Sequence, residues 1–189
     1  MSDPVEVLDF WLGEIGPEGW YAGGEALDAL IGMRFGDLWQ ALADGGLEHW
    51  IAGPAVALAY IVVADQFSRN MHRGDAKAFA TDARARAAAL VAIEEGWDMM
   101  APEPERQFFY MPFEHSENPA DQVKAVALLT ERVSSDPTMA LHARAHQLII
   151  EQFGRFPFRN AALGRETTPA EQEFLEDGGY GALIQRLKG

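Results

Sequence analysis

Pro54-Ala55-Val56-Ala57-Leu58-Ala59-Tyr60-Ile61-Val62-Val63-Ala64-Asp65-Gln66-Phe67-Ser68-Arg69-Asn70 decides the fold class. Proline suits a helix's first turn, where its missing N–H would go unused, and the run up to Ala64 is apolar on every side. That pattern reads as a buried central helix with other helices packed around it. The apolar run is about half the roughly 20 residues that span a bilayer, so no membrane partner is expected. Asp65, Ser68 and Arg69 read as the final turn. Asp65 and Arg69 are four apart and share a face, and Arg73 extends that side if the helix continues.

Helices are expected on both sides of this one. Asp3-Pro4-Val5-Glu6 opens the first, with Asp3 as cap, Pro4 in the first turn and Glu6 at the positive end of the dipole; Gly13 is expected to end it. Leucine, isoleucine and tryptophan recur at helical spacing from Glu25 to about Ala43, where Asp44-Gly45-Gly46 stops the run. Ala76 to Glu95 reads as helical in one or two pieces, and Glu103 to Met111 as a short helix closed by Pro112. Asn118-Pro119 and Asp136-Pro137 each pair a cap with a first-turn proline, opening helices to about Ser134 and Phe153. Gly154 suits the left-handed position after the second. Thr168-Pro169-Ala170-Glu171 is a capping box, and Leu183, Ile184 and Leu187 suit a terminal helix. No segment alternates as a strand does. The expectation is one all-α domain of about eight helices over residues 1–189.

Composition agrees with an ordinary soluble protein: 189 residues, 48% hydrophobic and 23% charged. Such a chain can bury roughly 70% of the surface it exposes when unfolded. Cysteine is absent, which excludes disulfides, thiolate nucleophiles and cysteine metal ligands. The first residues lack the basic and apolar regions of a signal peptide, so a cytoplasmic location is expected. A net charge of −14 disfavours nucleic acid as a partner. Only Lys77, Lys124 and Lys188 are lysines; the other twelve basic residues are arginines. Arginine's planar fork matches carboxylates and phosphates, which suggests fixed pairing.

Three stretches set charges among aromatic residues and proline: Asp65 to Asn70, Glu114-His115-Ser116-Glu117, and Phe153-Gly154-Arg155-Phe156-Pro157-Phe158-Arg159-Asn160. Buried charges need partners, either each other or a ligand. With Ala78-Phe79-Ala80-Thr81-Asp82, Phe109 to Glu117 and His146 to Arg165, these motifs resemble the bacterial family catalogued as domain of unknown function 924. The resemblance runs from Val7 to near the C-terminus. It implies a fold similar to tetratricopeptide-repeat proteins, a right-handed superhelix of antiparallel helix pairs with a concave surface. It implies no activity, cofactor or substrate. One position departs from the family pattern, which has His where this chain has Phe158.

Three readings of the motifs stay open. In the first, a groove binds a small anionic ligand or an acidic peptide end, clamped by Arg69, Arg73, Arg155, Arg159 and Arg165, with Asp65, Asn70 and Asn160 beside them. In the second, a hydrolase uses Glu114 or Glu117 as general base, His115 or His146 as proton shuttle, and the arginines as anion stabilisers. In the third, the charges pair only with one another and lock the helices. A metal is conceivable because His142 and His146 share a helix face, but that helix lacks the zinc-protease glutamate and sets Arg144 between them, so no metal or cofactor is expected. His146 is more simply a buried imidazole bonded to a carboxylate such as Glu114 or Asp65. The residues leave the oligomeric state open.

Overall fold

A computed structural model describes residues 3–189. Among them the chain is 72% helical, without strands, in about nine helices. It divides into two compact units, one ending at Pro112 and one spanning Phe113–Gly189. No helix of the described residues is long and apolar enough to cross a membrane.

In the first unit, α1 starts at Pro4 with Asp3 accepting the Glu6 amide at 2.9 Å. Gly13 does not end it. Pro4–Leu8 widens into a π-helical stretch, Asp9–Ile15, and a further turn, Gly16–Gly19, follows. The wider turn brings neighbouring Phe10 and Trp11 into the core together, both fully buried. Helix α2 covers Glu25–Ala43. Helix α3 runs as Pro54–Ile61, a π-helical segment Val62–Phe67, and Ser68–Met71, so Asp65 lies inside a widened segment and not in a last turn. All six residues of that segment are buried. Phe67 meets Phe35 at 4.8 Å, Trp11 at 5.5 Å and Phe10 at 5.9 Å. Each such pair contributes about 0.5–1.5 kcal/mol beyond area burial.

Widening disturbs the regular carbonyl-to-amide ladder, and side chains serve the affected carbonyls. Thr81, just before α4 (Asp82–Glu94), donates its hydroxyl to the Ala64 carbonyl at 2.5 Å. Arg69 donates to the Asp65 carbonyl at 2.9 Å, to the Asp65 carboxylate at 3.0 Å, and to both oxygens of Asp82 at 3.0 and 3.1 Å. Gln66 adds a 2.6 Å bond to Asp65. A carboxylate at 1% exposure is thereby neutralised and bonded. Short 3₁₀ turns follow α4, among them Glu105–Phe109; Pro112 then falls inside the one-turn helix α5, Met111–Glu114, instead of closing a helix.

The second unit contains α6 (Pro119–Arg132), α7 (Thr138–Phe153), α8 (Pro169–Glu176) and α9 (Gly179–Leu187). Asn118 caps α6 through the Ala120 amide at 2.9 Å. Asp136 accepts the Thr138 amide at 2.9 Å ahead of α7. Gly154 closes α7 at φ 69°, a conformation that favours glycine. Thr168 and Glu171 complete a reciprocal capping box on α8. Ile149, Ile150, Phe156 and Phe174 form the core, with Phe153, Leu175, Tyr180 and Leu183 packed against it.

Asp65→Ala removes the carboxylate inside the widened turn but leaves Arg69 with Asp82. The expected loss is about 3 kcal/mol, the low end for breaking a buried pair. Chemical denaturation reads it directly, and an unchanged midpoint contradicts a stabilising role for Asp65.

Candidate functional site

The Phe113–Ser116 connection is fastened from below. Gln122 of α6 is fully buried, and its amide donates at 2.6 Å to the carbonyls of both Glu114 and Ser116. This sets the direction of Glu114, whose carboxylate is buried at 3% exposure. Its Oε1 lies 2.8 Å from Nδ1 of His146 on α7. The same nitrogen is 3.0 Å from the His142 carbonyl, one helical turn back. Facing two acceptors, Nδ1 is a protonated donor, and in the neutral tautomer that this selects the lone pair is on Nε2. That nitrogen has no hydrogen-bond partner among the described residues. Burial pushes the Glu114 carboxyl up, but the charge and hydrogen bond of His146, helped by His115 and His142, outweigh it and hold the group below the usual carboxylate range. The second oxygen, Oε2, is buried and has no hydrogen-bond partner among the described residues.

Aromatic rings fix the imidazole. Phe156 meets it edge-on at 5.3 Å and Tyr180 lies at 4.8 Å. The Tyr180 hydroxyl makes a short hydrogen bond with Nδ1 of His142. Burial is the main influence lowering the His142 imidazole; Glu114 opposes it and His146 reinforces it. His146 borders a cleft of ≈ 550 Å³, walled by Phe158, Leu175, Tyr180 and by Gly178, Gly179 and Gly181 at the start of α9.

The arginines of this unit are turned onto its carboxylates. Arg165 grips Glu117 through two nitrogens at 2.8 and 3.0 Å, and also reaches Asn160 and the Phe156 carbonyl, each at 3.0 Å. Glu117 accepts the Phe156 amide at 2.8 Å as well. Burial raises the Glu117 carboxyl, and these partners more than reverse that. Arg155 binds Glu171 in the same forked way, at 2.6 and 2.8 Å, and the Glu166 carbonyl at 2.8 Å. Asn160 donates to Glu171 at 3.3 Å. Arg159 is buried, donates to the His115 carbonyl at 3.0 Å and covers the Phe156 ring at 4.5 Å.

The sequence-derived candidates therefore divide between the units. Glu114 meets His146, and His115 flanks it with ring centres 6.2 Å apart. Glu117 goes to Arg165 and not to an imidazole. In the first unit Asp65 and Arg69 pair, Asn70 is half-buried on the last turn of α3, and exposed Arg73 forks onto Asp28 at 2.9 and 3.0 Å. Sequence reading missed Tyr180, Gln122 and the second role of Glu171. The capping box announces Glu171 as a helix cap, but nothing linear announces Arg155 as its other partner. Among the described residues no group of three or more acidic or imidazole side chains is arranged to hold a metal ion.

A family model matches residues 7–179. The chain belongs to the family described as bacterial protein of unknown function (DUF924). It is similar to a solved structure of a protein of unknown function from Agrobacterium tumefaciens. Identity is 40%, the alignment covers 92% of this chain and 97% of that one, and the TM-score is 0.86. No curated protein matches the chain. Phe158 lies on the cleft wall.

Arg155, the Thr168 amide and the Thr168 hydroxyl hold the Glu171 carboxyl down to about 2, against the ordinary 4.5. Because the folded value is the lower one, its stabilisation is complete above pH 4.5 and is lost as pH falls towards about 2. Glu171→Gln is expected to flatten the acid limb of a stability–pH curve in that window. Parallel wild-type and variant limbs contradict the assignment.

Proposed function

We propose that the protein is a hydrolase in which His146, oriented by Glu114, acts as general base. What supports this is one contact, the 2.8 Å bond that fixes Nδ1 on a buried carboxylate while Nε2 is left unbonded on an imidazole bordering a cleft. Carboxylate, imidazole and open nitrogen form the orienting half of a catalytic triad. Ser116 is not the third member, because its hydroxyl donates to Asp121 at 2.6 Å. Water is then the nucleophile. Its proton passes to Nε2 as its oxygen adds to the acyl carbon, and the imidazolium returns that proton to the leaving group as the bond to it breaks. The two products together contain the atoms of substrate and water.

An anion clamp built on the arginines is the weaker reading. Arg155 and Arg165 already satisfy glutamates through bidentate bonds, so an incoming anion has to displace a carboxylate that is already in place. The proposal keeps a tetratricopeptide-like pairing of helices, in support of which α6 and α7 are joined by only residues 133–137. It also keeps a cytoplasmic location and no nucleic-acid partner, in line with the net charge of −14.

A panel of neutral esters and amides tests the reading, with circular dichroism as the check on folding. Wild type is expected to hydrolyse at least one, His146→Asn to lose about 10²–10⁴-fold in kcat, and Glu114→Gln to lose less. A folded His146→Asn protein with wild-type turnover refutes it, as does a panel that yields no hydrolysis.

A further inference from the structure

We infer that the cleft beside His146 selects neutral substrates with an aromatic or bulky aliphatic group, seated on Phe158 and Leu175; this rests on the hydrolase reading above. Phe158 is 45% exposed although Phe156, Pro157, Arg159 and Asn160 around it are buried. Those buried neighbours fix the 3₁₀ turn Pro157–Arg159, so the phenyl ring cannot retreat into the core without unseating them. Phe156 holds it from behind, with rings stacked at 5.3 Å and 26°. Phe156 is itself fully buried and lies under the Arg159 guanidinium. A large apolar ring is thus held out of the core, on a rigid backing, at the edge of the proposed base.

The remaining wall agrees in chemistry. Leu175 and the Gly178–Gly181 stretch present carbon and backbone, and Tyr180 presents a ring. Among the described residues no lysine or arginine lines the cleft. Phosphate esters and other anionic substrates therefore lack a counter-charge there, while a neutral carboxylic ester or amide needs none. A cleft of ≈ 550 Å³ lies within the ordinary range for small-molecule sites.

Benzylacetone is a neutral ketone shaped like an aryl ester but without a scissile bond, so its binding is read independently of turnover. In amide chemical-shift titrations it is expected to move the Gly178, Gly179 and Gly181 resonances at concentrations about tenfold below those butanone requires, the usual scale for an added apolar group. Phe158→Ala, an exposed substitution that leaves the fold intact by circular dichroism, is expected to abolish that difference. Inorganic phosphate is expected to move none of the three. Absence of benzylacetone shifts, equal binding by Phe158→Ala, or saturation by phosphate overturns the inference. Phe158-dependent binding without hydrolysis of any ester keeps the apolar pocket and discards the catalysis. Hydrolysis without aromatic preference does the reverse.

Discussion

Taking a carboxylate out of water is the constraint on which the second unit turns. An isolated buried ion costs several kcal/mol even after relaxation, so Glu114 needs partners built around it. Gln122 holds the backbone on either side of His115, which fixes the direction of the Glu114 side chain before any charge is considered. His146 then supplies one hydrogen bond and the favourable field, and this determines which imidazole nitrogen carries the proton. The second oxygen, Oε2, is buried as well.

The guanidinium groups act on this centre at one remove. Arg165 and Glu117 together secure the amide and carbonyl of Phe156, and Arg159 covers its ring. Phe156 in turn presses edge-on against His146. Lysine would not serve equally well, since a single ammonium cannot fork onto both oxygens of Glu117 while also reaching Asn160 and a backbone carbonyl. The preference for arginine in this chain therefore has a mechanical meaning: planar donors fix a loop, and the loop fixes a ring.

Features that act within one turn of chain were readable from residues alone. The caps at Asp3, Asn118 and Thr168, the left-handed Gly154 and the i,i+4 pair Asp65–Arg69 all depend on neighbours a few positions away. The π-helical widenings were not readable, because they answer to packing: Phe10 and Trp11 are adjacent yet both buried, and ordinary helical spacing does not place both against Phe67. Gly13 consequently looks like a terminator and is passed through. At the candidate site, Glu114 and His146 stood out as a buried acid and an imidazole in unusual company. Tyr180 did not, since its contact with His142 spans 38 residues and follows no local pattern. For the same reason the arginines could be recognised as pairing residues while the identities of their partners could not.

Neutralisation of those arginines also bears on the chemistry proposed for the cleft. Guanidinium groups left open would have made a positive chamber suited to anions, and the linear motif allows that reading as easily as the other. Once Glu117 and Glu171 accept the forks of Arg165 and Arg155, their positive charge is used within the protein frame, and the surface bordering His146 is ring, aliphatic carbon and glycine backbone. The arginines that suggest anion binding in sequence are thus already occupied by carboxylates in space.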